Sequence, residues 1–66
     1  MKYIESNPKI LGGTPVVVGT RVPVAKIIWL LSEGYSLDTI ATDEYPHISY
    51  WTLQQVIKEI AKKYDK

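Results

Sequence analysis

The fold of this chain begins in residues 12–24, which read Gly12-Gly13-Thr14-Pro15-Val16-Val17-Val18-Gly19-Thr20-Arg21-Val22-Pro23-Val24. Consecutive valines favour extended backbone, because a branched Cβ packs better on a pleated surface than in a helix. The Gly19-Thr20 step can form a tight turn, since glycine takes positive φ without a clash. Pro15 and Pro23 remove ladder donors at two points, so a sheet here must be short or lie at an edge. The stretch predicts a small β-hairpin or β-arm that leads directly into a helix.

A first helix is predicted over residues 24–33, directly after this arm. Gly34 follows it and can adopt the left-handed conformation that ends a helix. The apolar residues of the segment recur at i, i+3, i+4 and i+7, the pattern of one buried helical face. The residues on this face are Val24, Ile27, Ile28 and Leu31.

Two further helices are predicted from their capping residues. Ser36 is suited to cap a short helix over residues 37–44, which must end before Pro46 because the residue before a proline is pushed out of helical geometry. Ser49 is suited to cap a third helix that runs to about Lys63 or Tyr64. Its apolar face consists of Leu53, Val56, Ile57, Ile60 and Tyr64.

Together these elements outline a helix-turn-helix module, with a short second helix and a tight turn before the third. We predict a mainly α fold in one domain over residues 1–66. Residues 1–23 form the N-terminal β-arm or hairpin, and residues 24–66 form the three-helix module.

Composition excludes several classes of protein. The chain has 66 residues, no cysteine, one histidine and a net charge of +1. It therefore has neither a disulfide nor a thiolate zinc site, and we expect no metal and no cofactor. No leader opens the chain and its longest apolar run, residues 27–31, is too short to span a membrane, so we expect a soluble cytoplasmic protein. A domain this small is commonly stabilised by oligomerisation, which predicts a homodimer or even-numbered oligomer.

Residues 13–24 also fit the pattern Gly-x-Pro-Val-x-x-Gly-Thr-Arg-x-Pro-Val. This pattern resembles the signature of a domain-of-unknown-function family of short bacterial and archaeal proteins. The resemblance extends over most of the chain, through Asn7-Pro8-Lys9-Ile10, Gly34-Tyr35-Ser36, Ile40 and Tyr45-Pro46. It implies a homeodomain-like helix-turn-helix and an antitoxin of a type II toxin–antitoxin pair, whose partner is a PIN-domain-like RNase toxin.

The outward face of the third helix contains the candidate DNA-binding residues. Glutamine can pair bidentately with adenine, and lysine can reach guanine or a phosphate. An exposed indole is more typical of a protein contact, because tryptophan is enriched at interface hot spots. Base or phosphate contact, a protein interface and a solvated face all remain open for this set, which comprises Trp51, Gln54, Gln55, Lys58 and Lys62.

Arg21, the only arginine, has two interpretations. Its planar fork can contact a phosphate, or it can act as a structural clamp that bonds helix-end carbonyls or an acidic side chain of this domain. The nearby glycines do not form a phosphate-binding loop, because no Gly-Lys-Ser/Thr follows them. His47 stands alone in a turn without a nearby pair of acids, so we predict no catalytic residue and no enzymatic activity.

Two functions remain for this chain. The first is an antitoxin that binds its own operator as a dimer, regulates transcription and neutralises an RNase toxin. The second is a protein-interaction module, either toxin-binding or an adaptor, that does not bind DNA. We further expect Val16, Val17 and Val18 to form the oligomer interface, because successive side chains of a strand alternate between its faces.

Overall fold

A computed structural model describes residues 1–65, and Lys66, the last residue of the predicted domain, lies outside the described residues. The elements in chain order are β1 (Ile4–Glu5), a 3-10 turn (Leu11–Gly13), β2 (Val16–Val17), α1 (Val24–Ser32), α2 (Leu37–Thr39), a π-helical segment (Ile40–Glu44) and α3 (Tyr50–Lys63). The prediction of a mainly helical chain, with three helices after an N-terminal β element, is confirmed. None of the helices in residues 1–65 is long and apolar enough to cross a membrane.

The tight turn predicted after β2 is present. Gly19 has φ 74°, and the Thr20 N–H donates to the Val17 carbonyl at 3.0 Å. The Thr20 hydroxyl donates to the same carbonyl at 2.8 Å. Beyond the turn the chain returns as a single β-bridge between Val16 and Pro23, held by bonds from the Val17 N–H to the Val22 carbonyl at 2.9 Å and from the Val24 N–H to the Pro15 carbonyl at 3.0 Å.

The regular partner of β2 is β1, which the sequence analysis did not identify. The two strands are antiparallel, with Ile4 opposite Val17 and Glu5 opposite Val16. One further bond, from the Val18 N–H to the Tyr3 carbonyl at 3.0 Å, extends the pairing. The short strand β2 therefore lies between β1 and the returning segment, and neither of its edges is open along its two residues.

Both residues of β2 are fully buried, at 0% exposure, whereas Val18 is 39% exposed. Val17 belongs to a core cluster that also contains Ile27 of α1, Ile40 of the π-helical segment and Leu53 of α3. The expectation that Val16 and Val17 form an oligomer interface is therefore wrong, because their side chains have no surface left to offer a partner. Of the three valines, only Val18 remains a candidate.

α2 and α3 begin with the same cap, as the sequence predicts. The Ser36 hydroxyl accepts the Thr39 N–H, and the Ser49 hydroxyl accepts the Thr52 N–H, both at 3.1 Å. The hydroxyls of each pair also lie within hydrogen-bond distance: those of Ser36 and Thr39 are 3.0 Å apart, and those of Ser49 and Thr52 are 2.9 Å apart. Each cap satisfies a backbone donor that the helix itself leaves unpaired.

Replacing Ser49 by alanine should lower the free energy of unfolding by about 1 kcal/mol, because the first turn of α3 loses its cap. Chemical denaturation followed by circular dichroism measures the change. Ser49→Asp is the matched control, since aspartate accepts the same N–H and should retain most of the stability. An alanine variant as stable as the unmodified chain would contradict this role of Ser49.

The ends of α1 and of the second helical stretch also follow local chemistry. Gly34, with φ 95°, donates to the Leu31 carbonyl, and Tyr35 donates to the Leu30 carbonyl, each at 3.1 Å. This pair of bonds is the Schellman arrangement that the glycine permits. The second stretch ends before Pro46 as predicted, but its last part is π-helical, with the Tyr45 N–H donating to the Ile40 carbonyl at 2.8 Å.

Candidate functional site: the outward face of α3 and the adjoining depression

The predicted face of α3 lies on the side of the helix that points away from the core. Leu53 and Val56 are fully buried on the inner side. Among the candidates on the outer side, the two lysines are exposed, the two glutamines are half-buried and the tryptophan is 55% exposed. The structure therefore places all five on one helix with accessible side chains: Trp51, Gln54, Gln55, Lys58 and Lys62.

The N-terminal segment runs along one flank of this face. The Tyr3 N–H donates to Glu59 Oε1 at 2.7 Å, and the Tyr3 ring packs edge-on against Trp51 with centroids 5.4 Å apart. Trp51 thus has a partner within the chain, and part of its indole ring helps to hold the segment before β1 against α3. The second oxygen of the same carboxylate, Glu59 Oε2, is buried and has no hydrogen-bond partner within residues 1–65.

Arg21 is exposed, and within residues 1–65 its guanidinium donates no hydrogen bond. The structural-clamp interpretation of Arg21 therefore has no hydrogen bond behind it among these residues, and the side chain is exposed. The turn that presents it is held by other groups: the Val22 N–H donates to the Thr20 hydroxyl at 3.0 Å, and the Gly19 N–H donates to Glu5 Oε1 at 3.3 Å.

Arg21 and His47 line the same open depression, of about 550 Å³, although they are far apart in the chain. A second depression of about 320 Å³ shares Gly19, Thr20 and His47 with it and extends to Ser49, the N-cap of α3. The N-terminus of a helix has positive electrostatic character from its aligned peptide dipoles. The site is therefore two-part: the outer face of α3, and a pair of adjoining depressions, of which one is bordered by Arg21 and the other reaches the first turn of α3.

Charge is unevenly distributed around this site. Exposed acidic side chains cluster on α2 and the π-helical segment, at Asp38, Asp43 and Glu44, whereas exposed lysines occupy the second half of α3. Glu5 adds one negative charge to the rim of the Arg21 depression. No group of three or more His, Cys, Asp or Glu within residues 1–65 is arranged to hold a metal ion.

Sequence reasoning missed two features that bear on function. His47 lines the same depressions as Gly19 and Thr20 although it is distant from them in the chain, and no local pattern indicates this. The second feature is the outward side of α1: Ile28, predicted to face the core, is 45% exposed, and Leu30 is buried instead. The near-absence of polar residues in α1, Val-Ala-Lys-Ile-Ile-Trp-Leu-Leu-Ser, could have indicated an apolar outer face.

Comparison with known proteins places this chain in a family. Residues 4–58 match the family described as "Protein of unknown function (DUF433)", so the chain belongs to that family. Over 37 residues it is 51% identical to the "Uncharacterized protein y4eO" of Sinorhizobium fredii (strain NBRC 101917 / NGR234). That alignment covers 56% of this chain and 17% of the relative, so the chain spans a small part of the relative's length. No solved structure matches the chain.

Proposed function

We propose that this protein is the antitoxin of a type II toxin–antitoxin pair, which binds operator DNA through a helix-turn-helix and neutralises a PIN-domain-like RNase toxin. The observation that supports this most is the exposed polar face of α3. It lies on a capped helix that follows a short turn, and it presents two glutamines beside two lysines. The antitoxin-like character of the family that this chain resembles supports the toxin partner.

The dimensions of α3 suit a DNA groove. A helix of 14 residues is about 21 Å long, and the major groove of B-DNA is about 12 Å wide and admits one helix. In a homeodomain-like arrangement α3 is the recognition helix, with Gln54 and Gln55 near base edges. Lys58 and Lys62 are then available to the phosphates that border the groove. A two-fold dimer would bring two such helices to a pseudo-palindromic operator.

Arg21 supplies a third phosphate contact in this proposal. Its side chain is exposed and borders a depression together with His47, two residues before the cap of α3, and arginine forks favour phosphate oxygens. A contact to the backbone of the duplex adds affinity for any sequence and no base preference.

Arg21→Ala should weaken binding to specific and unrelated duplexes alike and lower the slope of log affinity against log salt by about one. Fluorescence anisotropy at several salt concentrations measures both quantities. Arg21→Lys is the control, because it retains the charge and should retain the slope. A slope that stays the same in the alanine variant would remove Arg21 from the interface.

The DNA-binding half of the proposal is tested by titrating the unmodified chain into a labelled duplex from the region upstream of its own gene. We expect binding that is tighter than to an unrelated duplex of equal length, and that weakens steeply between low and moderate salt as counterions are released. Equal, weak binding to both duplexes by folded protein would refute operator recognition.

The neutralisation half is tested independently by co-expression with the product of the neighbouring gene. We expect a complex that survives purification, and loss of RNase activity when the chain is added to the isolated toxin. A neighbour that forms no complex and has no nuclease activity would refute the antitoxin role, whatever the outcome of the DNA titration.

A second candidate function is a protein-interaction module that does not bind DNA. It is favoured by the aromatic residues at the start of α3, where Tyr50 and Trp51 are both about half exposed and no basic residue accompanies them. Such residues are enriched at protein interfaces. A chain that captures the toxin but leaves the upstream duplex unbound would select this function.

A further inference from the structure

α1 has a second apolar stripe on the side that faces solvent. Ala25, Ile28, Trp29 and Ser32 follow the i, i+3, i+4, i+7 spacing of one helical face, and all four are exposed. Ile28 and Trp29, the two large residues, are 45% and 51% exposed in its middle. A helix that is apolar on both faces is typically buried on both, so this stripe lacks its cover.

The stripe continues into an apolar depression of about 210 Å³ on the side of Ile28. Val24, Ile60 and Tyr64 line that depression together with Ile28. A contiguous exposed apolar surface with charged residues at its border is typical of protein interaction sites. The outer face of α1 is therefore continuous with apolar surface beyond α1, which enlarges the area that a partner could cover.

The charges that border the stripe indicate which partner fits. Lys26 and Glu33 are both exposed and lie on the same flank of α1, about two turns apart, one near each end. When two copies of a helix pair antiparallel about a two-fold axis, like flanks face each other and opposite ends meet. Lys26 of each copy then lies near Glu33 of the other, whereas a parallel pairing brings no opposite charges together.

The sizes along the stripe fit the same arrangement. Along the stripe the side chains are small, large, large and small. An antiparallel copy therefore places Ile28 and Trp29 at the centre of the interface and the small residues Ala25 and Ser32 at its two ends. Within the chain, Lys26 Nζ already lies 4.4 Å from the centroid of the Trp29 ring. The ammonium can keep this cation–π contact while it faces a carboxylate at the rim of the interface.

We propose that this protein forms a two-fold homodimer through the outer face of α1, with the two helices antiparallel and two equivalent Lys26–Glu33 pairs at the ends. The proposal does not rest on DNA or toxin binding. It replaces the interface expected at Val16 and Val17 and leaves the outer face of α3 free in each copy.

Sedimentation equilibrium of the purified chain, without DNA or toxin, tests the proposal. The unmodified protein should be a dimer, and Ile28→Asp should raise the dissociation constant by at least about 30-fold, because a central apolar contact is replaced by a charge. Circular dichroism should show unchanged helix content, because the Ile28 side chain is partly exposed to solvent in the single chain. A monomer at all accessible concentrations would overturn the proposal.

A charge cycle tests the orientation of the two helices. Lys26→Glu alone and Glu33→Lys alone should each raise the dissociation constant by about tenfold, because each creates two like-charge contacts. The double variant Lys26→Glu/Glu33→Lys should return to within about threefold of the unmodified value. Lys9→Glu, in an exposed loop, is the charge-matched control and should have no effect. Single variants that leave association unchanged, or a double variant that is not rescued, would overturn the antiparallel pairing.

Discussion

Replacing Val17 by lysine should unfold the domain. Val17 is fully buried and belongs to the core cluster that joins the β-arm to the three helices. An unpaired ammonium at this position costs several kcal/mol, against a total stability of about 5–15 kcal/mol for a typical domain and less reserve in one this small. Circular dichroism should show loss of most helical signal at 25 °C, and thermal melting should show no cooperative transition.

Val18→Lys is the matched control for this prediction. The two positions are adjacent and receive the same residue, but Val18 is 39% exposed and its new ammonium can reach water. We expect this variant to stay folded, with a melting temperature within a few degrees of the unmodified chain. A Val17→Lys variant that remained folded and lost only its self-association would instead show that β2 is an interface.

The second large effect is expected on DNA binding, from the double variant Lys58→Glu/Lys62→Glu. Both lysines are exposed on the outer face of α3, so the changes leave the core untouched. In the proposed DNA complex each change removes a phosphate contact and places a negative charge next to the backbone of the duplex. We expect affinity for the upstream duplex to fall on the order of 100-fold at moderate salt, measured by anisotropy.

Lys2→Glu/Lys9→Glu is the matched control for the α3 variant. It changes the net charge of the chain by the same amount, at exposed positions outside α3. We expect only a small loss of affinity from the weaker general attraction. If both double variants lose affinity equally, binding depends on net charge alone and α3 is not the recognition helix.

The helices could be predicted because the signals that begin and end them are local. Ser36 and Ser49 cap bonds to the residues three positions on, and Gly34 closes α1 through carbonyls of the same helix. These interactions depend on residue type over a few positions, so sequence alone identifies them. The turn at Gly19 was predictable for the same reason.

The pairing of β1 with β2 was not predictable by these means. Ile4–Glu5 is too short for a periodic pattern, and its partner is set by tertiary contacts rather than by a turn. That pairing, together with the return of the chain at Pro23, covers both edges of β2. No open strand edge is therefore left at Val16 and Val17 for the expected interface. The π-helical end of the second helical stretch likewise had no sequence signal beyond the position of Pro46.

Of the two parts of the candidate site, the outer face of α3 could be predicted from the sequence and the depression at Arg21 could not. The outer face of α3 follows from helical periodicity, so Gln55, Lys58 and Lys62 were placed correctly on the solvent side. The contact between Tyr3 and Trp51, and the depression shared by Arg21 and His47, join segments from different parts of the chain. No spacing rule connects such residues, and only the folded structure brings them together.

The most direct test of the account is a map of amide chemical shifts in the isotopically labelled chain as the upstream duplex is added. If α3 is the DNA-binding helix, the perturbed amides should cluster on its outer face, around Gln54, Gln55, Lys58 and Lys62, and at Arg21, while those of Ile28 and Trp29 in α1 stay unchanged. Saturating amounts of duplex that leave the α3 amides unchanged, or perturbations confined to α1, would contradict it.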